Sequence, residues 1–74
     1  EKVRVEYLLR KPSEVKIEVF NILGVRVLEV EHSRQLPGLY HYDISAKDLE
    51  GSSIYYLKFS VDDKNSVTKL IPAR

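Results

Sequence analysis

Val15-Lys16-Ile17-Glu18-Val19-Phe20-Asn21-Ile22-Leu23-Gly24-Val25-Arg26-Val27 is the stretch on which the fold turns. Val15, Ile17 and Val19 alternate with Lys16 and Glu18, so one face of an extended segment is apolar and the other charged. The apolar positions are β-branched, the side chains that pack best on a pleated surface. Asn21-Ile22-Leu23-Gly24 breaks the alternation, and Gly24 supplies the positive φ that a tight connection often needs, so a hairpin is expected here. Val25 and Val27 continue on one face while Leu28 and Val30 fall on the other. That change of phase predicts a bent third strand, with either a bulge or a change of partner midway.

The same period extends in both directions. Val3, Val5, Tyr7 and Leu9 alternate with Arg4, Glu6 and Leu8, giving a first strand that ends at Lys11-Pro12-Ser13, where proline lacks the amide proton a ladder requires. Glu31 to Gly38 is polar and closes on Pro37-Gly38, which predicts a loop carrying the chain from one sheet to the next. Tyr40, Tyr42 and Ile44 alternate with His41 and Asp43 in a fourth strand, and Ser45 to Leu49 is long enough for one helical turn at most. Tyr55, Leu57, Phe59 and Val61 form one face of a strong fifth strand. Asp62-Asp63-Lys64-Asn65 reads as a hairpin turn, followed by a last strand in which Val67, Lys69 and Ile71 alternate with Thr68 and Leu70. Short strands at roughly ten-residue spacing without a helical window predict a single all-β domain over residues 1–74, a small sandwich of about six to seven antiparallel strands. A closed barrel needs more chain to satisfy strand number and tilt together.

Composition narrows the function classes. Seventy-four residues are too few for a deep catalytic cleft, and the absence of Cys excludes disulfides and thiolate metal sites. Twelve basic residues against eleven acidic ones are scattered rather than gathered into a stripe, so nucleic acid is not an expected partner. No apolar run approaches the roughly 20 residues of a membrane helix, and no membrane insertion is expected. His32 and His41 have no companion ligands at a suitable spacing, so neither a metal nor a cofactor is expected, and His41 is expected to face solvent between two inward tyrosines. No nucleophile stands beside a base and no carboxylate pair is set for acid–base work. Asp43 and Asp48 read as loop-flanking residues that bond backbone amides, and Asp62-Asp63 as a turn pair. Tyr7, Tyr40, Tyr42, Tyr55 and Phe59 sit in phase with the core; Phe20 and Tyr56 fall out of phase and are the candidates for an exposed aromatic contact.

The run Val15 to Val27 resembles the "V-x-V-x-V-Y/F-N/D-I/L-L-G-x-x-V" core of a bacterial immunoglobulin-like family. That family comprises the C-terminal sorting domains of type IX secretion cargo and the related domain of the flagellar hook-capping protein FlgD. Asn21 and Gly24 fall on its first motif, and Pro37 and Gly38, followed by Tyr42-Asp43, on its second. Gly51 and Tyr55 resemble its "L-x-x-G-x-Y" segment with two additional residues between them, and Lys69-Leu70-Ile71-Pro72-Ala73-Arg74 resembles its terminal "K-L/M-x-V-x-K/R" signature, with Pro72 replacing an aliphatic residue.

The resemblance implies a non-catalytic domain at the C-terminus of a longer secreted protein. Such a domain targets its cargo to an outer-membrane translocon of a Gram-negative bacterium, by way of the periplasm, for export and surface attachment. Its partners would be secretion-machinery proteins or the adjacent domain of the same polypeptide, and Lys69, Leu70, Ile71 and Arg74 would carry the recognition. An exposed terminal strand with unpaired backbone groups and added charges suits docking by strand addition. The alternative is an immunoglobulin-like accessory module of a secreted hydrolase, packing on the catalytic domain or on glycan through Phe20 or Tyr56.

Overall fold

The computed structural model describes residues 2–49 and 54–71. Six strands follow one another: β1 (Lys2–Leu9), β2 (Ser13–Asn21), β3 (Arg26–Gln35), β4 (Gly38–Ser45), β5 (Tyr55–Val61) and β6 (Lys64–Leu70), with one 3-10 turn at Ala46–Leu49. All ladders are antiparallel. They form a two-stranded sheet, β1-β4, and a four-stranded sheet in the order β3-β2-β5-β6. The expected all-β sandwich is the fold. Its longest dimension, 36 Å, matches the ~33 Å reach of a ten-residue strand such as β3.

The apolar rows read from the sequence meet between the sheets. Val15, Ile17 and Val19 of β2 are fully buried, with Tyr55 and Leu57 of β5 beside them and Leu9 and Ile44 arriving from the smaller sheet. Val3, Val5, Tyr7, Tyr40, Tyr42 and Phe59 pack around this centre half-buried. Tyr7 lies parallel to Tyr40 and Tyr42 on neighbouring β4, and its ring sits 4.8 Å from that of Phe59 across the sandwich. These aromatics are core, and His41 between Tyr40 and Tyr42 faces solvent as expected.

Two turn expectations are met in detail. Gly24 has φ +83°, and the Asn21 Oδ1 atom accepts the amides of Leu23 (2.9 Å) and Val25 (3.0 Å), so the β2–β3 connection is held from inside by one side chain. We expect Asn21→Ala to lose both bonds, at about 0.5–1.5 kcal/mol each, and to lower the urea midpoint without changing the slope. The phase change after Val27 is a bulge: Val19 pairs with Leu28 but Phe20 with Arg26, leaving Val27 unpaired in the register. A second irregularity between Ile17 and Glu18 leaves Val30 in the same position.

Three expectations are corrected. Glu31 to Gln35 is not loop but the second half of β3, and the connection from β3 to β4 is Leu36-Pro37 alone. This segment lacks apolar alternation because its inward positions are Glu31, Ser33 and Gln35, which are hydrogen-bonded inside the fold, Ser33 to Glu31 and Gln35 to two tyrosine hydroxyls. Asp43 does not flank a loop: it lies on β4 opposite Arg4 and accepts a 3.0 Å bond from the Arg4 guanidinium, which holds its carboxyl below the usual range. Lys64 and Asn65 belong to β6, paired with Val61 and Ser60, so the last turn is Asp62-Asp63 alone, with Asp62 at φ 55°. The Asp62 carboxylate accepts the Glu14 amide, tying this turn to the start of β2.

Candidate recognition surfaces

The four-stranded sheet is wider than the sheet that covers it. Tyr7 of β1 meets Phe59 of β5, while Tyr42 of β4 accepts a 2.9 Å hydrogen bond from Gln35 Nε2 at the end of β3. The small sheet therefore covers β3, β2 and β5 and stops short of β6. Six of the seven residues of β6 are exposed, and only Leu70 is half-buried. One long edge of β6 pairs with β5; the other has no strand beside it among the described residues.

Of the terminal residues singled out in the sequence, Lys69 faces outward opposite Tyr56, Leu70 turns toward the core opposite Tyr55, and Ile71 is exposed just past the strand. Arg74 lies outside the described residues, as does Gly51. Asn21 and Gly24 build the β2–β3 turn, Pro37 and Gly38 lead into β4, and Tyr55 opens β5 with its hydroxyl donating to the Leu49 carbonyl. These motif residues shape the backbone and do not converge on a common site. Phe20 and Tyr56, by contrast, are direct cross-strand partners on the outer face of the large sheet, both half-buried.

Beside that aromatic pair the outer face is charged. Glu18 is largely buried there and accepts Arg26 Nη1 at 3.1 Å, with Lys16 Nζ at 3.5 Å; Arg26 also reaches Glu29. Lys58 is its cross-strand neighbour on β5, and a shallow depression of about 280 Å³ lies over this network. Both signs alternate within it, and Lys16, Glu18, Arg26 and Glu29 are joined in ion pairs. Its chemistry is that of a solvated, internally neutralised sheet face. No group of three or more His, Asp or Glu side chains suited to a metal ion occurs among the described residues.

Two features were not singled out from the sequence. Ile22, Leu23 and Val25 project from the β2–β3 turn, Leu23 with 83% of its surface exposed, on a backbone that Asn21 holds fixed. Period-two reasoning stops where a turn begins, although three apolar residues in four between Asn21 and Arg26 were visible. The second is a groove of about 180 Å³ between the free edge of β1 and the uncovered β5–β6 surface, with Val5, Glu6 and Tyr7 on one wall and Leu57, Phe59, Ser66 and Thr68 on the other. It depends on which strands are neighbours, which alternation does not encode.

Compared with protein-family models, with curated proteins and with solved structures, the chain matches none.

Proposed function

We propose that this chain is a non-catalytic, immunoglobulin-like sorting domain of the type IX kind, recognised through its last strand and directing a secreted protein to the outer surface of a Gram-negative bacterium. The observation that carries the reading is β6: an edge strand of the large sheet, almost wholly exposed, with Lys69 outward and Ile71 uncovered beyond it. A folded export signal is read from outside, and an unpaired edge offers a receptor a row of amides and carbonyls with side chains at alternating positions. The immunoglobulin-like part of the reading is supported by Tyr55. At the first position of β5 it bonds a backbone carbonyl six residues upstream, as the tyrosine corner of such sandwiches does.

The test is export of a reporter carrying this chain at its C-terminus in a bacterium with a type IX apparatus. The full chain is expected to bring the reporter to the cell surface, and removal of Ile71 to Arg74 to leave it in the periplasm. Unchanged surface delivery after that deletion would remove the terminus from the role.

The accessory-module reading has one observation in its favour, the Phe20–Tyr56 pair on a sheet face. A saccharide titration that shifted these two rings and no others would support it.

A further inference from the structure

The groove beside Val5 to Tyr7 of β1 lies where a third strand of the small sheet would run. The small sheet has two strands where the large one has four, and β1 carries β4 on one edge and nothing on the other among the described residues. Every second residue of an antiparallel strand directs both its N–H and C=O to a given edge, so about half of the eight residues of β1 present unpaired pairs there. Directly below, Ser66 and Thr68 of β6 are exposed while Phe59 and Leu70 are only half-buried. An edge with free backbone groups and a floor with uncovered apolar surface coincide at one place, and a single strand about 4.8 Å from β1 satisfies both.

We infer that this slot receives an extended segment of a partner polypeptide, added antiparallel to β1 as the third strand of the small sheet. This goes beyond the sorting role and does not require it, since it concerns β1 and the inner face of β6 rather than the terminal residues. A second copy of the chain is a poor occupant. Joined edge to edge with its large sheet on the same side, it would drive its own β6 into this one.

The walls define the segment. Side chains pointing inward meet Val5, Tyr7, Leu57 and Phe59 over the small hydroxyls of Ser66 and Thr68, which suits β-branched residues of valine or threonine size. Side chains pointing outward run beside the solvent face of β1. There Lys2 and Arg4, the latter already paired with Asp43, lie at one end, exposed Glu6 in the middle, and exposed Leu8, opposite exposed Leu39, at the other. An antiparallel segment therefore places an apolar outward residue near its N-terminal end, a basic one opposite Glu6 and an acidic one opposite Lys2 at its C-terminal end.

The probe is an eight-residue peptide with valine at every second position and, between them, leucine, lysine, threonine and glutamate in that order, titrated into ¹⁵N-labelled protein. Shifts confined to β1, Leu57, Phe59, Ser66 and Thr68, with affinity reduced at least tenfold by Thr68→Arg and unchanged by Lys69→Ala, are the expected result. Both substitutions are at exposed sites, so the folded spectrum is retained. Equal binding of the scrambled peptide, or no shift at β1, overturns the proposal. So does a concentration-dependent dimer using β1, which would make a second copy the occupant. Protection of β1 only when the peptide is linked ahead of Glu1 would also overturn it, in favour of a covalently attached strand.

Discussion

Ile17→Ala is expected to destabilise the protein by about 2–5 kcal/mol, the usual range for removing a large aliphatic side chain from a core. Ile17 is completely buried on β2, a central strand paired on both sides, opposite Phe59 of β5 and Glu31 of β3. Neither sheet can collapse into the space, because β2 is held by ladders along both edges and its neighbours Val15 and Val19 are equally buried. A domain of this size has a total stability on the order of 4–11 kcal/mol at roughly 0.05–0.15 kcal/mol per residue, so the substitution removes a large share of it. Urea titration followed by circular dichroism measures the loss. Val67→Ala, at an exposed position of β6, serves as the comparison and is expected to stay within about 0.5 kcal/mol of the parent.

The second large effect concerns Gln35. Its side-chain amide bridges two tyrosines of the small sheet, accepting from the Tyr7 hydroxyl at 2.6 Å and donating to the Tyr42 hydroxyl at 2.9 Å. Because Gln35 ends β3, this bridge fastens the edge of the large sheet to both strands of the small one. Gln35→Leu keeps the volume and removes both bonds, leaving two part-buried hydroxyls without that partner. A cost of about 1–3 kcal/mol is expected.

Tyr7 adds a pH signature. Burial, and then its contact with the Tyr42 hydroxyl, raise the Tyr7 pKa well above the ordinary tyrosine value of 10.0. A group whose folded pKa is raised contributes stability that is complete below the unfolded pKa and is lost as pH climbs beyond it. Stability measured from pH 9 upward should therefore begin to fall near pH 10, and Tyr7→Phe should flatten that fall. An identical alkaline profile in the two proteins would mean that Tyr7 ionises as freely in the fold as out of it.

What could be read from the sequence follows from what alternation encodes. Period two tells which face of a strand is buried, and Val15, Ile17, Val19, Tyr55 and Leu57 were all placed inward on that basis. It also located the bulge at Val27, because a change of phase is itself a periodic signal. It says nothing about an inward row whose members are polar. Ser33 and Gln35 are inside because their hydrogen bonds are satisfied there, Ser33 by Glu31 and Gln35 by Tyr42 and by Tyr7, the last of these far away in sequence. The Arg4–Asp43 pair was hidden for a related reason: it exists only in the β1–β4 register. Of the candidate surface, the exposed terminal strand was legible and the β1 groove was not, since the groove is made by strand order.

Among the described residues both strands of the small sheet and the outer strands β3 and β6 of the large one have an open edge. The account rests on a closed centre and on two of these edges, β1 and β6, and native-state amide hydrogen exchange reads this directly. In the monomer, amides of β2 and β5 should be protected along their whole length, whereas in β1 and β6 protected amides should alternate with fast-exchanging ones. Uniform protection along β1 or β6 in the monomer would show those edges to be covered, and would contradict the basis on which this protein is read as a docking module.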